Sequence, residues 1–108
     1  VYNEGLKDLS CLKLPLPPSD GDNFDVFQNY ELHAENRDNL KDYLAKNGIG
    51  TIIQWAGVPV HKFKDLGFNQ SLPFTDMFFE GCLMLPMNSA LEIEQAEYIV
   101  KTVRNFYE

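Results

Sequence analysis

The stretch of sequence that decides the fold runs Gly48-Ile-Gly-Thr-Ile-Ile-Gln-Trp-Ala-Gly-Val-Pro-Val-His61. Its first half is apolar and rich in β-branched residues, which is typical of a buried strand, predicted here from Ile49 to Trp55. Gln54 and Trp55 end this strand, and the turn after it leads to His61. We expect these three side chains to lie close together at an edge where a ligand could bind.

A helix is predicted directly before this strand, over residues 36–47. Leu40 and Leu44 have the spacing of one apolar helix face, and charged residues occupy the other positions. Asn36 is predicted to cap the first turn with its side chain. Gly48 suits the left-handed position that follows a helix end, so the next strand starts after almost no loop.

A second strand is predicted before the helix, from Phe24 to Ala34. Alternate residues along it are apolar, so one face is expected in the core; Val26, Gln28, Tyr30, Leu32 and Ala34 lie on that face. His33 lies on the polar face and is interpreted as solvated. A short strand is also expected at residues 12–14. The order strand, helix, strand predicts one sheet with the helix packed on one face.

The C-terminal half adds two helices and a short extended piece. Residues 59–67 are predicted to form a loop with a helical turn. A helix is expected to begin at Pro73, and the residues assigned to its buried side are Phe74, Met77, Phe78 and Cys82; its aromatic residues are interpreted as core or domain-interface residues. The last helix is predicted to be capped by Ser89 with Glu92 at the third position. Its apolar stripe comprises Ile93, Ala96, Ile99, Val100, Val103 and Phe106.

These elements predict an α/β fold class, specifically a two-layer α+β sandwich in which helices cover a small sheet of three to four strands, mainly on one side. The chain has 108 residues, enough for one domain with a modest core. Its net charge of −7 argues against nucleic acid and anionic membrane surfaces as partners. No apolar run approaches the roughly 20 residues of a membrane span.

The two cysteines, Cys11 and Cys82, lie in apolar settings far apart in sequence. They are interpreted as buried thiols of a cytoplasmic protein, and their spacing does not suggest a metal site. No local catalytic motif stands out either. From the residues alone, Trp55 is more often a core or edge residue than a ligand platform. On the same basis His61 would be an ordinary loop histidine and Gln54 a polar residue at a strand end.

The order of several short motifs in this chain also resembles that of a known family. The pieces that carry it are Tyr2-Asn-Glu-Gly-Leu-Lys-Asp-Leu9, Phe27-Gln-Asn-Tyr-Glu-Leu32, residues 37–51, Pro59-Val-His61, Leu66-Gly-Phe68, Leu83-Met-Leu-Pro-Met87 and Arg104-Asn-Phe-Tyr107. In this order they resemble the C-terminal small domain of the DegT/DnrJ/EryC1/StrS family, which are fold-type I, pyridoxal-phosphate-dependent sugar aminotransferases. The resemblance implies a mostly antiparallel sheet. It also implies that residues 1–108 are one small domain of a longer enzyme, with residues 1–9 the tail of an interdomain helix.

The resemblance also implies where the site lies. Members typically carry His-Tyr at the positions of Gln54 and Trp55, so Gln54, Trp55 and His61 become the candidate sugar contacts. The pyridoxal phosphate of the parent enzyme, and the lysine that binds it, are expected in a large domain of the same chain. We therefore expect no catalytic residue and no bound cofactor in this chain alone.

The parent enzyme implied by the resemblance moves an amino group from an amino-acid donor, such as glutamate, to a keto-sugar nucleotide. Its product would feed surface polysaccharide or glycosylated natural products, and the enzyme is expected to be a homodimer in the cytoplasm. Two alternatives stay open. The chain could be a stand-alone α/β binding or regulatory module without catalysis, with Tyr2, Leu6 and the aromatic helix forming a dimer contact. It could also be a degenerate family member.

Overall fold

The computed structural model describes residues 1–17, 19–24 and 26–108. In these ranges the helices are α1 (Tyr2–Leu6), α2 (Arg37–Lys46), α3 (Pro73–Gly81) and α4 (Ile93–Tyr107), and the strands are β1 (Leu12–Lys13), β2 (Ser19–Asp20), β3 (Asn23–Phe24), β4 (Tyr30–Ala34) and β5 (Cys82–Leu85). A turn with a left-handed backbone, Gln54–Gly57, and two single-turn 3₁₀ helices, Val60–Lys62 and Lys64–Leu66, lie between α2 and α3. No helix in the described ranges is long and apolar enough to span a bilayer.

The main sheet has three antiparallel strands in the order β1-β4-β5. Leu12 is opposite Ala34 on one side of β4, and Tyr30 is opposite Leu85 on the other. β2 and β3 form a separate hairpin. The predicted two-layer α+β architecture with a small antiparallel sheet is therefore confirmed.

The alternation in β4 builds the centre of the core. Tyr30, Leu32 and Ala34 are buried, as predicted. The core that they join includes Leu40, Leu44, Leu83, Ile99 and Val103. The prediction that the strand begins at Phe24 was wrong: β4 begins at Tyr30, and Val26 is 85% exposed. The left-handed backbone of Phe27, with φ of 42°, interrupts the extended conformation; residue 25 lies outside the described residues.

The end of α2 follows the sequence prediction, and its start does not. Gly48 has φ of 77°, and the amides of Gly48 and Ile49 donate to the carbonyls of Ala45 and Leu44 at 3.1 and 2.9 Å, which is a Schellman motif. Asn36, however, makes no side-chain cap. Its own backbone is left-handed, and its Oδ1 accepts a hydrogen bond from the Asn39 side chain instead.

Helix α4 starts later than its sequence suggested. Glu92, and not Ser89, is the N-cap, and its amide donates to Gln95 Oε1 at 2.9 Å in a capping box shifted by three residues. The reason is a turn before the helix, in which the Leu91 amide donates to the Asn88 carbonyl. Of the predicted stripe, Ala96, Ile99 and Val103 are buried, Val100 and Phe106 pack partly against the core, and Ile93 is exposed.

Helix α1 packs against α4. Tyr2 and Leu6 are buried in the core, so they are not available for the dimer contact that the binding-module alternative assigned to them. Gly5 allows the close approach, because a Cβ there would lie 2.5 Å from Val100 Cγ1. Beside this contact, Arg104 Nη1 donates to the Gly5 carbonyl at 2.8 Å.

The predicted strand from Ile49 to Trp55 does not form, and this is the main correction. Ile49 is buried, but the chain makes only a single bridge to the sheet, between Ile52 and Met84, and Ile52 is 63% exposed. The strand does not continue past Ile52 because Trp55 and Ala56 have left-handed backbones. The chain therefore turns away from β5 before a fourth strand can pair.

Candidate functional site

The turn that carries Trp55 has a strained backbone. Trp55 and Ala56 have φ and ψ of 53°, 35° and 53°, 23°, and Gly57 follows with φ of 77°. The left-handed conformation costs a non-glycine residue about 1–2 kcal/mol. Such strain persists only where surrounding structure holds it, and it concentrates at functional sites. The Trp55 side chain is 75% exposed, so the turn presents an indole to the solvent.

An open apolar cavity lies beside this indole. Its volume is about 470 Å³, and its lining residues are Trp55, Val58, Pro59, Val60, Phe63, Thr75 and Phe79. The volume is in the range of small-molecule sites, which are mostly apolar with a few polar groups. Among the lining residues, the side chains that carry a polar group are Thr75, with a hydroxyl, and Trp55, with an indole N–H.

His61 points away from the solvent and towards α3. It is only 4% exposed, and its Nε2 lies 2.7 Å from Asp76 Oδ1. Because an ionised carboxylate only accepts hydrogen bonds, Nε2 carries the proton. The other ring nitrogen, Nδ1, is buried and has no hydrogen-bond partner among the described residues.

Asp76 also forms an ion pair with Lys62, whose Nζ lies 3.4 Å from the same oxygen. Burial raises the pKa of the Asp76 carboxyl, but the hydrogen bond from His61 and the charge of Lys62 outweigh this effect, so the pKa lies below its usual value. One carboxylate therefore holds two consecutive residues of the loop.

Gln54 lies over the edge of β5. It is half-buried, and its backbone lies against the Cys82 thiol. Burial and the nearby Glu31 carboxylate raise the pKa of that thiol. Arg37 reaches the same place and donates from Nη1 to the Cys82 carbonyl at 2.8 Å. Both cysteines are free, with Cys82 buried and Cys11 half-buried.

The three candidate residues therefore do not form one cluster. Gln54 and Trp55 share one turn. His61 belongs to the next turn, whose Pro59 and Val60 line the cavity with Trp55, while the imidazole itself faces Asp76. Asp76 was missed from the sequence, because an acid in the first turn of a helix is common for reasons of the helix dipole alone.

The exposed side of α3 corrects another expectation. Of the residues assigned to its buried side, Cys82 is buried, but Phe74, Met77 and Phe78 are exposed, Phe74 by 79%. They belong to what we call the 55–78 apolar surface, which comprises Trp55, Val58, Val60, Phe63, Leu66, Phe68, Leu72, Phe74, Met77 and Phe78. Ten large apolar side chains are thus exposed between residues 55 and 78.

The lysines do not fit a pyridoxal phosphate site. A lysine that forms a Schiff base needs a neutral amine, usually obtained in an apolar or cationic setting. Six of the seven lysines are exposed, and half-buried Lys41 donates from Nζ to the Thr51 carbonyl at 3.3 Å. No cluster of three or more His, Cys, Asp or Glu side chains suited to a metal occurs among the described residues.

Similarity to known proteins identifies the family of this chain. The sequence profile of the DegT/DnrJ/EryC1/StrS aminotransferase family matches residues 1–104. A pleiotropic regulatory protein of Geobacillus stearothermophilus is 33% identical over 88 residues, 78% of this chain and 23% of that protein. The dTDP-3-amino-3,4,6-trideoxy-alpha-D-glucose transaminase of Streptomyces venezuelae is 32% identical over 111 residues, 99% of this chain and 28% of that protein.

The fold agrees with these sequence matches. The crystal structure of S. venezuelae DesV in complex with a ketimine intermediate superposes with a TM-score of 0.88 at 32% identity, and the match covers 99% of this chain and 28% of that one. The chain thus spans about a quarter of the length of these relatives. It belongs to the DegT/DnrJ/EryC1/StrS aminotransferase family.

Proposed function

We propose that residues 1–108 form the C-terminal small domain of a pyridoxal-phosphate-dependent aminotransferase that acts on a keto-sugar nucleotide. Residues 1–9 would be the tail of an interdomain helix. The observation that carries the proposal is the apolar cavity beside the exposed Trp55, in a chain whose family match extends over residues 1–104. The domain contributes part of the sugar-binding pocket, and the amino group comes from an amino-acid donor.

The chemistry of the cavity suits a sugar. An indole offers an apolar face to a pyranose ring and one N–H donor to a hydroxyl. Gln54, in the same turn, can donate and accept hydrogen bonds to further hydroxyls. His61 contributes by holding the turn at Val60 beside the cavity, through the hydrogen bond between its Nε2 and Asp76.

The cofactor chemistry belongs to the rest of the polypeptide in this proposal. Pyridoxal phosphate, when bound, supplies the electron sink of transamination. The lysines of this chain do not fit it, and we assign them no step. The 55–78 apolar surface is the face that a large domain or a dimer partner would cover, because its exposed aromatic residues match what buried interfaces contain. The free thiols favour a cytoplasmic protein.

The test uses the longer polypeptide that contains this chain, assayed with a panel of keto-sugar nucleotides and glutamate. Trp55→Ala is expected to raise KM for the sugar nucleotide about tenfold, the scale of one lost contact of about 1.4 kcal/mol. KM for the amino donor should not change. Ile93→Ala, which removes an exposed apolar residue on α4, is the matched control. Absence of aminotransfer with every keto-sugar nucleotide would refute the proposal.

A binding or regulatory module without catalysis is the second candidate. One observation favours it: the likeness to a relative named a pleiotropic regulatory protein. In that case the 55–78 apolar surface would bind a protein partner. Titration of the longer polypeptide with pyridoxal phosphate separates the two, because a visible cofactor–lysine absorbance band belongs only to the aminotransferase.

A further inference from the structure

The loop that presents Trp55 is held at two points, one on each side of its strained turn. On the N-terminal side, Ile52 exchanges backbone hydrogen bonds with Met84 at 2.8 and 3.2 Å. On the C-terminal side, His61 and Lys62 both reach Asp76. The left-handed residues Trp55 and Ala56 lie between these two anchors.

The second anchor depends on one side chain. Within the described residues, the hydrogen bonds and ion pairs that leave residues 55–71 for another element all end on the Asp76 carboxylate. The remaining hydrogen bonds of this segment are local, such as the Val58 amide to the Trp55 carbonyl at 3.1 Å. A strained turn held by so few polar contacts should relax when one of them is removed.

We propose that Asp76 is a positioning residue for substrate: by holding His61 and Lys62 on α3, it keeps the strained turn in place and so sets where Trp55 stands over the cavity. Asp76 does not line the apolar cavity itself. Its effect on substrate would therefore pass through the loop. A displacement of about 1 Å in a positioning group is enough to impair productive binding.

The first test uses the longer polypeptide with any tryptophan outside residues 1–108 replaced by phenylalanine, because Trp55 is the single tryptophan of this chain. Asp76→Ala should lower the fluorescence anisotropy of Trp55, since the released indole moves faster. Asp76→Asn retains an acceptor for His61 and should lower it less, and Lys62→Met should also have a smaller effect. Asp65→Asn is the matched control, an exposed acid on the same loop outside the described ion pairs.

Circular dichroism is measured on every variant. Unchanged anisotropy in a folded Asp76→Ala variant would overturn the proposal. Loss of the fold in both Asp76→Ala and Asp76→Asn would do the same, because Asp76 would then serve the fold and not the placement of Trp55.

The second test rests on the proposed function and uses the longer polypeptide. Asp76→Ala should raise KM for the keto-sugar nucleotide about tenfold and leave KM for the amino donor unchanged, with Asp76→Asn in between. Equal changes in both constants, or no change in either, would contradict positioning of the sugar. If the wild-type protein transfers no amino group, the proposed function fails, while the anisotropy still decides whether Asp76 holds Trp55.

Discussion

Asp8 and Arg104 join the two ends of the chain through a bidentate ion pair, with Nη1–Oδ1 and Nη2–Oδ2 distances of 2.7 and 2.9 Å. Asp8 follows α1 and Arg104 lies near the end of α4, so the ion pair is beside the contact between Gly5 and Val100. The hydrogen bond from Arg104 lowers the pKa of Asp8 from 3.8 to about 2.

This shift predicts a specific acid sensitivity. The folded-state pKa is below the unfolded one, so the pair stabilises the fold above pH 3.8 and stops doing so as the pH falls to about 2. Asp8→Asn should lower the free energy of unfolding at neutral pH and flatten its fall across this window. Urea unfolding at several pH values measures both. Asp42→Asn, on the exposed face of α2, is the control and should keep the wild-type slope.

Ala56→Gly should stabilise the protein by about 1 kcal/mol. Ala56 has φ of 53°, a conformation that glycine adopts without the steric cost of a Cβ. Chemical denaturation gives the change. The same substitution at Ala45, an exposed residue inside α2, should instead destabilise by about 1 kcal/mol. Equal signs at the two positions would show that the left-handed turn at Ala56 does not carry the expected strain.

Gly48→Val should destabilise the protein by about 1–2 kcal/mol, because it places a β-branched residue at φ of 77° in the Schellman motif. Gly50→Val serves as the comparison. A Cβ at Gly50 would meet open space, and its backbone is not left-handed, so a change within about 0.5 kcal/mol is expected. Thermal unfolding of both variants shows whether the loss of stability comes from the strained helix end or from the size of the valine side chain.

Gly5→Ala should cost about 1–3 kcal/mol through the clash of its Cβ with Val100 Cγ1. Val100→Ala opens the space that the new methyl needs. A double-mutant cycle should therefore show favourable coupling between the two substitutions. Additive effects would mean that α1 shifts away from α4 without loss of packing.

Much of the fold could be predicted because local patterns and tertiary packing agree there. The alternation of Tyr30, Leu32 and Ala34 identified the core face of β4, and Gly48 identified the end of α2. The caps at Asn36 and Ser89 failed for a common reason. A residue type that favours a cap is not sufficient when the backbone before the helix already forms a turn, as it does after Asn88.

The site was less predictable. Nothing in the sequence indicates that Trp55 and Ala56 adopt a left-handed backbone, since neither is a residue type that favours it. The spacing of Phe74, Met77 and Phe78 correctly marks an apolar helix face, but spacing does not say whether this chain or another part of a protein covers it. Whether Gln54, Trp55 and His61 contact a substrate stays a prediction.

The isolated bridge between Ile52 and Met84 protects the outer edge of β5. The outward amide and carbonyl of Met84 both bond to Ile52, and the Cys82 amide and carbonyl are taken by Phe78 and Arg37. An incoming strand would therefore find no free backbone groups at either residue with which to extend the sheet. The loop that presents Trp55 thus also blocks the pairing of another strand at this edge, which disfavours edge-to-edge aggregation.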